Sequence, residues 1–136
     1  MPKHEFREPP GDPVSTIAAR VKQLRRTRGW TAAEVGKQMT HLGVNWDRFT
    51  VANLENGKRR SVTVTELLAL SVVFDVAPVH MLISPEAGDY SITPALSQPA
   101  ARVRAWVRGE QPLPGANLRA WRTEVPLHEL RAEDLT

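Results

Sequence analysis

The sequence predicts an all-α protein, on three observations. Apolar residues recur at helical spacing in five short segments between residues 15 and 83. Capping residues open the second to fourth of those segments, and glycines close the first three. Two more amphipathic stretches follow near the C-terminus, so the expected architecture is a five-helix domain with a short helical C-terminal extension.

Taken in order, residues 1–14 hold four prolines and no apolar periodicity, and are expected as a flexible N-terminal arm. The first helix lies in "STIAARVKQLRRTRG", where Ile17, Val21 and Leu24 recur at i, i+4, i+7 and Gly29 supplies a stop. The second opens at Thr31 with Glu34 three residues on, a capping-box pattern, and carries Val35, Met39 and Leu42 as its stripe. The third lies in "WDRFTVANLENGKRR": Asp47 is the N-cap, Val51 and Leu54 face inward, and Asn56-Gly57 closes it. Thr63 and Glu66 form a second capping box before "LLALSVVF". Pro78 starts the fifth helix, at the position where its missing N–H costs nothing.

Residues 84–98 are rich in turn formers and are expected as a linker; residues 99–136 form the extension. Val103, Trp106 and Val107 share one side of its first helix, and Leu118, Trp121 and Val125 one side of its second. These stripes are too small for an independent core. They pack on the five-helix domain, on each other or on a second copy of the chain. Trp30 and Trp46 suit apolar plugs at helix starts better than stacking platforms, and Met39 and Met81 suit core filling.

Composition narrows the function. Cysteine is absent, which excludes disulfides and thiolate metal sites and fits a cytoplasmic protein. No apolar run approaches the roughly 20 residues needed to span a bilayer, and the first residues lack the apolar stretch of a signal peptide. The four histidines are scattered, no phosphate-cradling glycine loop or nucleophile elbow occurs, and neither an enzyme, a metal nor a cofactor is expected. The net charge of +3 hides an asymmetry: residues 15–83 hold ten Lys/Arg against five Asp/Glu, while each flank sums to −1. An anionic partner is drawn to the middle segment.

Five short helices with a basic bias are a common DNA-binding layout. With Val51 and Leu54 turned inward, the third helix leaves Arg48, Phe49, Ala52 and Asn53 on its other faces. Arg forks onto guanine O6/N7, Asn pairs with adenine N6/N7, and Phe packs against a thymine methyl. Lys58, Arg59 and Arg60 follow where a chain leaving the groove meets phosphates. The same residues equally suit a packed helix followed by a solvated basic turn.

"RVKQLRRTRGWTAAEV", "TVANLENGKR" and "TELLALSVVFDVAPVHML" together resemble the Cro and phage-repressor type helix-turn-helix regulators, the XRE family. The resemblance covers residues 15–83 and is most specific in "LENGKR". It implies a lambda-repressor-like domain and a sequence-specific transcriptional regulator, with residues 47–55 as the recognition helix in the major groove of a double-stranded operator. Arg48, Phe49 and Asn53 then read bases. Thr31, Ala32 and Ala33 at the second helix start, together with Thr50, Lys58, Arg59 and Arg60, meet the DNA backbone. Arg25 and Glu55 form a structural ion pair between the first and third helices. Regulators of this type read two half-sites, so a homodimer is expected, acting as a repressor on the bacterial nucleoid.

The family often places Gln where this chain has Ala32, and the connection between its second and third helices is longer by about five residues. A second helix extended by roughly one turn absorbs most of that length, with residues 43–46 as the turn. An actinobacterial branch of the family carries such a connection. The alternative function is a protein-interaction module on the same fold, an antitoxin or adaptor; apolar Phe49 and Ala52 at reader positions favour it.

Overall fold

The computed structural model describes residues 11–86 and 88–130. Five helices come first: α1 (Pro13–Thr27), α2 (Ala32–His41), α3 (Arg48–Glu55), α4 (Val64–Phe74) and α5 (Pro78–Leu82). A two-stranded antiparallel hairpin follows, β1 (Asp89–Thr93) with β2 (Leu96–Pro99), and then α6 (Ala100–Val107), α7 (Leu118–Thr123) and a 3-10 turn (Leu127–Glu129). The chain is therefore mostly helical and not all-α.

The helix starts follow from side-chain chemistry. Asp47 Oδ1 accepts from the Thr50 amide at 2.9 Å, and Thr63 and Glu66 close a reciprocal capping box at α4. Thr31 Oγ1 accepts from the Glu34 amide at 3.1 Å, but the returning half of the expected box is not made. α1 begins earlier than its apolar pattern does. Asp12 is the N-cap in a box with Ser15, and Pro13 takes the first helical position. That corrects the expected arm: residues 11–14 belong to the folded domain, and the rest of the arm lies outside the described residues, as do residues 131–136 of the extension.

The main core is built where α1–α5 meet. Ile17, Val21, Leu24, Val35, Met39, Val51, Leu54, Leu70, Phe74 and Met81 are buried together. Each fully buried side chain of this size contributes about 1.5–3 kcal/mol relative to exposure. Leu42, expected on the inner stripe of α2, is exposed because α2 ends before it and Leu42 serves as its C-cap.

A second cluster explains why residues 84–98 are not a linker. Val79, Ile83, Tyr90, Ala100 and Val103 are buried together, with Ile92 and Trp106 packed against them. The Tyr90 hydroxyl donates to the Leu82 carbonyl at 3.0 Å, and the Ser91 amide donates to the Gly11 carbonyl at 2.7 Å. Arg104 of α6 donates to the Val79 and Ile83 carbonyls and contacts His80 Nδ1 at 2.7 Å. The Val79 carbonyl also accepts the Ile83 amide, so the guanidinium adds a second donor there and supplies the Ile83 carbonyl just past the end of α5. The hairpin and α6 are thereby fastened to the five-helix domain. Leu118 of α7 remains exposed, as does Val107 at the end of α6, whereas Trp121 is half-buried.

The tightest constraint lies between α2 and α3. Gly36 is buried in α2, and a Cβ there would stand 2.8 Å from the Asp47 carbonyl carbon. Backbone, not a yielding side chain, occupies that space. Gly36→Ala is expected to destabilise the fold by about 1–3 kcal/mol through overpacking, outweighing the roughly 1 kcal/mol that Ala gains in helix propensity. Thermal denaturation checks this, and a raised Tm for the Ala variant would contradict it.

Candidate nucleic-acid interface

α3 is short, and its sequence divides cleanly by face. Val51 and Leu54 are fully buried, while Arg48, Phe49 and Asn53 are exposed, Phe49 to 61%. A single exposed aromatic is ordinary on a protein surface; here it gives the outward face of α3 one apolar element beside Arg48 and Asn53. The Arg48 guanidinium lies over the Phe49 ring, 4.8 Å from its centroid. That stacking costs Arg48 none of its in-plane N–H donors.

Both ends of α3 are braced. Near its C-terminal end, Arg25 of α1 forks onto Glu55, with Nε to Oε2 at 2.7 Å and Nη2 to Oε1 at 2.8 Å. Arg25 Nη1 also donates to the Trp30 carbonyl at 3.0 Å. The hydrogen bond to Glu55 raises the Arg25 pKa above its usual value against the opposing effect of burial. Such a pair adds little net stability but fixes the angle between two helices, because the planar fork accepts one orientation. Gly57, at φ +76°, then lets the chain turn sharply out of the helix, and the Lys58 amide returns to the Asn53 carbonyl at 2.9 Å.

The N-terminal brace involves residues far apart in sequence. Buried Trp46, just before α3, donates Nε1 to Glu66 Oε2 at 2.8 Å. Glu66 Oε1 accepts from the Thr63 amide at 2.8 Å and from Arg59 Nη2 at 3.2 Å. Arg59 Nη1 stands 2.9 Å from Glu66 Oε2, an electrostatic contact without hydrogen-bond alignment, and the guanidinium covers the Trp46 ring at 5.1 Å. Burial alone would push the Glu66 carboxyl up. The Thr63 amide, Arg59 and Trp46 together outweigh it, and the net pKa is lowered.

These contacts sort the expected backbone-contacting residues. Lys58 and Arg60 are exposed on the turn after α3. Arg59 is not available in the same way: Glu66 and Trp46 hold it half-buried, so it braces the turn. The Thr50 hydroxyl gives its proton to Asp47 Oδ1 at 3.1 Å, which leaves it no donor for phosphate. Asp47, so engaged by Thr50, has a lowered pKa. At the start of α2, Thr31 caps Glu34, Ala33 is exposed and Ala32 packs partly on the core. The first-turn amides of Ala32 and Ala33 have no intrahelical partners and point the positive end of the helix outward. The Trp46–Glu66–Arg59 assembly and Gly36 were not anticipated. An indole and a carboxylate 20 residues apart leave no local signature, whereas a glycine inside a capped helix was a signal that could have been followed.

Residues 16–82 match the family model described as a helix-turn-helix domain. No curated protein and no solved structure matches the chain. The matched stretch spans α1 to α5, and within it α2 and α3 are consecutive short helices joined by a turn at residues 42–47. DNA binding is the function this class of domain points to. Among the described residues no helix is long and apolar enough to cross a membrane, and no cluster of metal-ligating side chains occurs.

The depressed Glu66 pKa has a stability consequence. Its folded-state value lies below the ordinary 4.5, so the stabilisation is complete above that value and disappears as the pH falls through the folded-state value. Glu66→Gln is expected to cost roughly 1.5–3 kcal/mol at neutral pH. In urea denaturation series, the gap between parent and variant should close at acid pH; a gap of constant size would contradict the role given to the carboxylate.

Proposed function

We propose that this protein is a sequence-specific transcriptional regulator that binds double-stranded DNA, of the Cro and phage-repressor type (XRE family, actinobacterial branch). The observation that carries the proposal is α3 itself: a helix braced at both ends whose outward residues are Arg48, Phe49 and Asn53. Seated in the major groove, Arg48 forks onto guanine, Asn53 pairs with adenine, and Phe49 packs against a thymine methyl. Lys58 and Arg60 contact phosphates beside the groove, as do the first-turn amides of Ala32 and Ala33. Arg59 acts through the turn it holds and not by touching phosphate. The protein works by binding alone, without catalysis or cofactor, on the nucleoid of a bacterial cytoplasm.

It binds as a homodimer on two half-sites, acting as a repressor. Supporting the dimer is apolar surface without an intramolecular partner. Val64, Leu68 and Val72 at i, i+4, i+8 on α4 are exposed, with Leu42 beside them. The same ridge favours a second reading, an adaptor or antitoxin that docks another protein on this fold. The two readings diverge in how α3 behaves. A regulator needs its outward residues for sequence choice; a protein-docking module would have equal affinity for every DNA site.

Arg48→Ala or Asn53→Ala should relax preference at one base pair, costing about 1–3 kcal/mol there. Binding to a set of singly substituted duplexes checks this, and affinities unchanged across the set would remove that residue from the readers. Lys58→Ala should instead weaken all duplexes alike and lower the slope of log K against log salt by about one. Salt titration checks it; an unaltered slope would place Lys58 away from phosphate.

A further inference from the structure

The groove beside the basic turn is not formed by the helix-turn-helix unit alone. Gly57, Arg59 and Arg60 line it together with the first turn of α1 and residues 91–94 of the hairpin. The hairpin is fixed in that position. Ser91 N is bonded to the Gly11 carbonyl, Tyr90 is buried with its hydroxyl on Leu82, and the Ser91 and Ser97 hydroxyls pair across the strands at 3.0 Å. Its tip, Thr93 to Leu96, is exposed, and Thr93 and Pro94 line the groove with Arg60, itself an exposed cation with no ion pair among the described residues.

The charge of this region suits a polyanion. Two cations, Arg59 and Arg60, line the groove. The one acid lining the groove, Asp12, is engaged as the N-cap of α1, its Oδ1 on the Ser15 amide at 2.8 Å. What remains is a guanidinium on one side and a hydroxyl-bearing strand pair on the other, the donor types that proteins turn towards sugar and phosphate.

We propose that the hairpin tip is a second DNA-backbone contact, lying with Arg60 along the sugar–phosphate strand that borders the recognition helix. This rests on the reading that α3 enters the major groove, and it adds an element outside the helix-turn-helix unit to the interface. The contact supplies affinity without reading sequence, because hydroxyls and cations on a phosphate path see no base edges.

The test places charge of each sign at the tip of the full-length chain: Ala95→Lys, Ala95→Glu and, as a second site, Thr93→Lys. Leu127→Lys, on the exposed 3-10 turn of the tail, is the control. Affinity for a mixed-sequence duplex is measured across a salt series, with circular dichroism and melting to confirm folding. Each Lys at the tip should steepen the slope of log K against log salt by about one and tighten binding several-fold at low salt. Ala95→Glu should weaken every duplex several-fold and leave sequence preference intact. A parent that binds duplex while the tip variants keep its slope, or shift it no more than Leu127→Lys, overturns the hairpin contact alone. A change of oligomeric state with DNA binding unaltered would also overturn it, since the tip would then face protein. A parent that binds no duplex overturns both this contact and the reading of α3 beneath it.

Discussion

Glu66 is the residue on which the presentation of α3 depends. Its two oxygens receive the Thr63 amide, the Trp46 indole and the Arg59 guanidinium, tying together the start of α4, the start of α3 and the basic turn between them. A carboxylate this buried is costly unless it is hydrogen-bonded, and three donors meet it. Because the donors come from both sides of α3, meeting the needs of one carboxylate sets where the helix begins and where the turn after it lies. Glu55 performs the corresponding task near the other end of the helix through Arg25.

Around these two carboxylates, close packing removes the remaining freedom. Gly36 allows α2 to approach the Asp47 backbone more closely than any side chain would permit. The long turn at residues 42–47 is itself packed down, with Val44 and Trp46 against the core, and α3 packs on α2 and α1. A helix fixed in this manner presents Arg48, Phe49 and Asn53 at a constant angle. The base readout proposed for these residues requires such rigidity, since a bidentate pair loses its discrimination when the donor wanders.

Much of this arrangement was legible in the sequence, and the reasons for the failures are physical. α3 could be read from Asp47 to Gly57 because caps, stripes and glycine stops are local rules that act within one turn of helix. The Arg25–Glu55 fork came from resemblance, since no local rule joins residues 30 apart. In the sequence, residues 84–98 look like a linker because only Tyr90 and Ile92 carry the apolar alternation of a strand, and the Gly11 carbonyl that anchors them is remote. The start of α1 was placed late because Pro13 and Val14 read as a continuation of a proline-rich arm, whereas Pro13 is the first helical residue. Arg59 could not be told from Lys58 and Arg60, because three adjacent cations differ only in what tertiary structure sets beside each.

The claim at the centre of this account is that the outward face of α3 chooses DNA sequence. Selection of bound molecules from a random pool of double-stranded DNA by the full-length protein tests it most directly. A regulator reading DNA through α3 should enrich one motif, its two halves related by symmetry and separated by about one helical turn. A bound fraction no different in sequence from the starting pool, or no bound fraction at low salt, would contradict it.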